Sequence, residues 1–185
     1  MSNRATIAGG LALLCLALAV PGNATDGETS DEQVWLAAHN TERAEFGVAP
    51  LRWNEQLARE AEDWAQNLAS HGRLQHSARE DRNGTGENLW MGTRGRFSPA
   101  AMIDAFAREK QHFRAGEFPR VSTTGNTSDV GHYTQIVWAD TREVGCAKAT
   151  GARYDVLVCR YWPAGNVTGR LIEPQSPTNE RVARR

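Results

Sequence analysis

Hydrophobic positions fall along the chain in blocks with distinct periods, separated by polar stretches that carry glycine. The clearest block is Leu57, Ala61, Trp64, Ala65 and Leu68, whose i, i+4, i+7, i+8, i+11 spacing predicts a helix capped by Asn54 and closed by Gly72. Its Trp64 reads as core. An earlier helix opens at Ser30-Asp31-Glu32-Gln33, a capping box, and runs to about Glu45 before Phe46-Gly47 stops it. There Leu36, Asn40 and Arg43 share a stripe, so two polar side chains lie in line with an apolar one, either reaching inward or sitting at a solvated boundary. A third helix begins with Ser98 as N-cap and Pro99 at its first position, with Phe97 placed to staple against Met102. Met102, Phe106, Glu109 and Phe113 follow at helical spacing and put a carboxylate on the apolar face. Such a carboxylate needs a cation, a histidine or a metal opposite it, unless it snorkels at the edge of the stripe.

Period-two runs come later. Residues 143–149 and 154–161 are strand-like and joined by Thr150-Gly151-Ala152-Arg153, which predicts an antiparallel hairpin. If Cys146 opposes Cys159, then Val144 opposes Tyr161 and Lys148 opposes Leu157. One face then holds Val144, Cys146, Leu157, Cys159 and Tyr161, and the other Ala147, Val156 and Val158. A sheet with two apolar faces needs cover on both sides, so the expected fold is α+β, a three-layer α/β/α sandwich around a small antiparallel sheet. Residues 86–92 read as a short strand or extended loop, residues 116–131 as a long surface loop, and residues 131–138 as a short helix running into a strand.

Composition sets the compartment. Arg4 precedes an apolar run over residues 7–20, too short to span a bilayer comfortably, and Ala24 suits signal-peptide cleavage, with Ala19 as the alternative. Residues 1–24 are therefore a cleaved leader, 25–30 a linker, 31–169 one domain and 170–185 a polar flexible tail. Cys15 leaves with the leader, and Leu14 before it argues against a lipoprotein signal. The remaining Cys146 and Cys159 form an even pair in an oxidising compartment, where a disulfide is the default reading and a metal thiolate site the lesser one. With 21 Lys and Arg against 22 Asp and Glu, no basic excess marks a nucleic-acid surface. No second apolar stretch predicts a transmembrane anchor.

The five histidines, His39, His71, His76, His112 and His132, show no spacing that singles out a metal pair, and no G-x-S-x-G or H-E-x-x-H occurs. Ser77 beside His76 is poorly placed as a nucleophile, because adjacent residues seldom face each other as base and nucleophile must. Short motifs are more telling: Ala38-His39-Asn40 with Arg43, Leu51-Arg52-Trp53, Leu74-Gln75-His76-Ser77, Gly86-Glu87-Asn88-Leu89, Gly131-His132-Tyr133-Thr134-Gln135-Ile136-Val137-Trp138, and Val158-Cys159-Arg160-Tyr161-Trp162-Pro163-Ala164-Gly165-Asn166-Val167. In this order they resemble the superfamily of cysteine-rich secretory proteins, antigen 5 and plant pathogenesis-related proteins, the CAP or SCP domain, over residues 31–169.

The resemblance implies the same α/β/α sandwich and a cleft holding His76, Glu87, Glu109 and His132. His76 and His132 are its expected metal ligands, and Glu87 and Glu109 its cleft carboxylates. Asn40, Arg43, Tyr133 and Gln135 are expected as rim or scaffold. This chain departs from the family in having Phe106-Ala107-Arg108 ahead of Glu109, where an aromatic pair or a tryptophan is usual, and in having fewer cysteines; ion-channel block is not expected of it. The expected role is a secreted, monomeric binding protein in the extracellular space, or in the periplasm for a Gram-negative source. It would hold a divalent cation, zinc first, with no organic cofactor, and a sterol, fatty acid or extracellular protein as ligand. Two alternatives stand beside it: a metal-dependent hydrolase with Glu87 or Glu109 as general base, and a purely structural hydrogen-bond network.

Overall fold

The computed structural model describes residues 29–174, so the expected leader, most of the expected linker and the last eleven residues lie outside it. The caps form as their sequences predict. Ser30 and Gln33 exchange backbone and side-chain hydrogen bonds at the start of α1 (Asp31–Phe46). Asn54 Oδ1 accepts from the Gln56 and Leu57 amides at the start of α2 (Glu55–His71). Ser98 caps α3 (Pro99–Ala107) through the Ala101 amide. Phe97, ahead of this cap, meets Trp90 edge-on, with ring centroids 5.0 Å apart.

Four strands form the central sheet: β1 (Arg52–Trp53), β2 (Gly86–Thr93), β4 (Glu143–Thr150) and β5 (Tyr154–Trp162), in the order β1-β4-β5-β2. The hairpin register is the one expected, with Cys146 opposite Cys159, Val144 opposite Tyr161 and Lys148 opposite Leu157, and the two cysteines are joined. The sheet is mixed rather than purely antiparallel, because β1 lies parallel to β4. A two-residue strand has no alternation to betray it; Arg52 N and Asn54 N hold it by donating to the Arg142 and Val144 carbonyls.

Both faces are covered, unequally. On one face α2 alone packs Ala61, Ala65 and Leu68 on Leu89, Val156 and Val158. Its backbone comes so close to β4 that a Cβ on Gly145 would overlap the Ala58 amide and the Asn54 carbonyl. The opposite face carries the larger core, where α1, α3 and α4 (Gly131–Ile136) bring Trp35, Met102, Phe106 and Ile136 against Val144, Leu157 and Tyr161.

Several connecting segments differ from expectation. The chain between α3 and α4 is no simple surface loop. It begins with a 3-10 turn (Arg108–His112), includes β3 (Gly116–Glu117), and buries Val121, Ser122 and Val130. The helix α4 does not run directly into a strand: residues 137–142 are turn and irregular chain before β4. The ordered chain also continues past Gly169: β6 (Leu171–Ile172) pairs antiparallel with β3 and Ile172 is buried, so the start of the expected flexible tail belongs to the fold. The polar residues around Leu171 and Ile172 hid this two-residue apolar anchor.

Candidate functional site

Glu109 follows α3 in the 3-10 turn rather than on the helix itself, and there it meets His132 at the start of α4. Its Oε1 lies 2.5 Å from His132 Nδ1, while its Oε2 accepts from the His132 and Tyr133 amides at 2.8 and 3.1 Å. The carboxylate thus caps the first turn of α4 and orients the imidazole in one stroke. Phe106 stacks over that ring at 4.7 Å, fixing its plane.

A second His–Glu pair forms at β2. Glu87 in β2 places Oε1 2.6 Å from His76 Nδ1, and it also accepts from Ser77 N and Oγ at 3.1 and 2.9 Å. Arg160, the residue opposite Glu87 on β5, brings Nη2 to 3.2 Å from its Oε2. Burial pushes the Glu87 carboxyl up, but the His76 bond, the Arg160 charge and the Ser77 hydroxyl together outweigh it and hold the group below its ordinary range. Ser77 is buried and donates its hydroxyl to Glu87.

Each histidine therefore has Nδ1 on its own carboxylate and Nε2 unengaged by any described residue. This is the arrangement in which a carboxylate orients an imidazole for a metal at its other nitrogen, so the chemistry of each pair suits an imidazole ligand with a glutamate behind it. Among the described residues the one trio of His, Cys, Asp or Glu donors within 4.8 Å of one another is His39, Cys146 and Cys159. That trio is no metal site. Its sulfurs are joined as a disulfide and both His39 nitrogens are hydrogen-bonded. Among the described residues His76, Glu87, Glu109 and His132 thus do not supply three donor atoms within 4.8 Å of one another.

The expected rim residues separate into wall and scaffold. Gln135 is buried in the wall of a cavity of about 600 Å³ that also takes in His76 and Glu87 but not His132 or Glu109. Its Oε1 accepts from Gly165 N at 2.9 Å, and it presses on Gly86 so closely that a Cβ there would overlap its amide oxygen. Asn40 pairs with both backbone groups of Leu51. Tyr133 is core, edge-on to Phe46 and Phe113. Arg43 is wholly buried and donates to the carbonyls of Ala49, Ile136, Trp138 and Thr141 at 2.6 to 3.0 Å.

One buried chain escaped the sequence reading. His39 Nδ1 lies 2.7 Å from the Trp35 carbonyl, which can only accept, so Nδ1 carries the proton and Nε2 accepts from the Tyr161 hydroxyl, also at 2.7 Å. Asn88 Nδ2 donates both to the Tyr161 oxygen and to the His132 carbonyl, each at 3.1 Å. The core of α1 is thereby tied through β5 and β2 to the backbone of a cleft histidine.

The model of the cysteine-rich secretory protein family matches residues 36–161. Pathogenesis-related protein 1C of Nicotiana tabacum is 36% identical over 142 residues, spanning 76% of this chain and 80% of that protein. Pathogenesis-related protein 1 of Arabidopsis thaliana is 35% identical over 157 residues, spanning 84% and 88%. Among solved structures, NaASP2 with Zn2+ superposes with a TM-score of 0.64 at 24% identity, over 82% of this chain and 90% of that one. BmVAL-1 does so with a TM-score of 0.65 at 22% identity, over 84% and 86%, and these two likenesses concern the fold.

Proposed function

The chain belongs to the cysteine-rich secretory protein family, and from that premise we propose that it is an extracellular binding protein whose cleft holds a divalent cation between His76 and His132. The observation that carries this reading is the pairing of each imidazole, through Nδ1, with its own glutamate. The leader-like first segment, the Cys146–Cys159 disulfide and the plant relatives support the extracellular setting. Among the described residues no helix is long and apolar enough to cross a membrane. The similar structure of NaASP2 is one with Zn2+, which makes zinc the first cation to try here.

When bound, the cation supplies a charged centre that a ligand oxygen can approach. The protein's part is positional. Glu109 and Phe106 fix the His132 ring, and Glu87, held by Ser77 and Arg160, fixes His76. The oxygens of both carboxylates accept hydrogen bonds that hold the imidazoles and nearby backbone or side-chain donors in place. The cavity beside His76 provides room for the ligand.

Glu109→Gln removes the charge behind His132 and keeps an acceptor for the backbone amides. Zinc affinity by calorimetry is expected to fall about 10- to 100-fold while the variant stays folded. Unchanged affinity would show that Glu109 serves α4 alone.

A further inference from the structure

The cavity beside His76 is cationic beyond what its own glutamate balances. Arg79 and Arg82 line it, from the turn that precedes β2, and Arg160 lies behind Glu87. Glu87 is the one carboxylate lining the cavity beside Arg79 and Arg82, and it is already saturated by His76, Ser77 and Arg160. Among the described residues neither Arg79 nor Arg82 has an ion-pair partner; Glu80 and Asp81 on the same turn are exposed and do not line the cavity. Glu60 acts on Arg160 only at a distance. Donors are left over as well. Arg82 Nε, Arg160 Nε and Arg160 Nη1 are buried with no acceptor among the described residues, and Arg160 is only 5% exposed. Buried guanidinium N–H groups without acceptors are costly, and a concave site of one sign concentrates ions of the other.

We propose that this cavity binds the oxyanion group of a ligand, a carboxylate, phosphate or sulfate, with Arg79 and Arg82 as its recognition residues. The inference deepens the binding reading above, on which it rests for the use of the cleft. A forked guanidinium matches the paired oxygens of such a group. The surplus positive charge also bears on the cation: a divalent ion at His76 is repelled by Arg79, Arg82 and Arg160 unless an anion accompanies it. A neutral sterol would leave these charges unanswered, whereas the headgroup of a fatty acid would meet them.

The test is calorimetric titration of the mature, chelator-treated chain with inorganic phosphate, acetate, laurate and dodecanol. Phosphate is expected to bind saturably with a Kd on the order of 1 mM. Arg79→Gln combined with Arg82→Gln should weaken it at least tenfold, and Arg82→Lys, which keeps the charge and loses the fork, several-fold. Laurate binding more tightly than acetate would identify an amphiphile as the source of the anion, and equal binding a free small anion. His132→Ala should bind phosphate as the wild type does, so loss of zinc binding alone leaves this proposal standing. No saturable phosphate binding by the folded wild type, undiminished binding by the double arginine variant, or dodecanol binding as well as laurate would overturn it.

Discussion

Arg43→Met is expected to cost about 4 kcal/mol of folding stability, a large share of what a domain of this size holds. The guanidinium is buried without a carboxylate and is solvated instead by four backbone carbonyls, two of them, Ile136 and Trp138, at the end of α4. Burial pulls its pKa down to about 10, so it remains charged at neutral pH. Methionine fills much of the volume but leaves those carbonyls facing an apolar group, which is where the loss arises. Urea unfolding of the purified variant measures it. Arg43→Lys, which keeps the charge and reaches fewer carbonyls, should recover part of the loss and remain folded if the methionine variant does not. A methionine variant within 1 kcal/mol of wild type would show that water replaces the guanidinium at little cost.

The second large effect is a loss of stability in mild acid. His39 is buried, and burial outweighs its bond to the Trp35 carbonyl to bring its pKa from 6.5 to about 4. The unfolded chain binds this proton at higher pH than the folded chain does. The stabilising difference is therefore fully present above pH 6.5 and is lost as pH falls toward 4. The gap amounts to about 3 kcal/mol. Protonation would also turn Nε2 from an acceptor of the Tyr161 hydroxyl into a donor against it. The urea midpoint should fall steadily between pH 6.5 and 5, above the range where carboxylates dominate, and His39→Gln should flatten that slope. A wild-type midpoint constant over this interval would contradict the neutral, buried assignment.

These two residues mark where the sequence was legible and where it was not. The cap, period and closing glycine of α2 are local, and local signals placed that helix within a residue. The hairpin register followed from one assumption, Cys146 opposite Cys159, and carried the face assignment with it. On α1 the buried face is Trp35, His39, Arg43 and Phe46; of the expected stripe Arg43 lies on it, while Leu36 and Asn40 flank it half-buried. Two polar residues on a buried face blur a periodicity built from apolar ones. Their partners, Tyr161 for His39 and the end of α4 for Arg43, lie about a hundred residues away, where no spacing rule reaches.

The site was legible in a similarly uneven way. The helical spacing of Glu109 demanded a partner, and His132 stands opposite it. Arg160 carried a signal that went unused: it continues the face of Val156 and Val158, a charge at the end of an apolar row. Only the β2–β5 register, which sequence did not supply, shows that its opposite number is Glu87. Arg79 and Arg82 sit in a polar turn with no periodicity, so nothing but the folded cavity distinguishes them from solvated surface arginines.

The central claim, that His76 and His132 jointly hold a divalent cation, is tested most directly by calorimetric zinc titration. The chelator-treated mature chain would be run beside His76→Ala and His132→Ala, with the fold of each variant checked by circular dichroism. The account predicts saturable binding to the wild type and its loss in both folded variants. No binding by the folded wild type, or undiminished binding in either variant, would contradict it and leave the two pairs as a structural network.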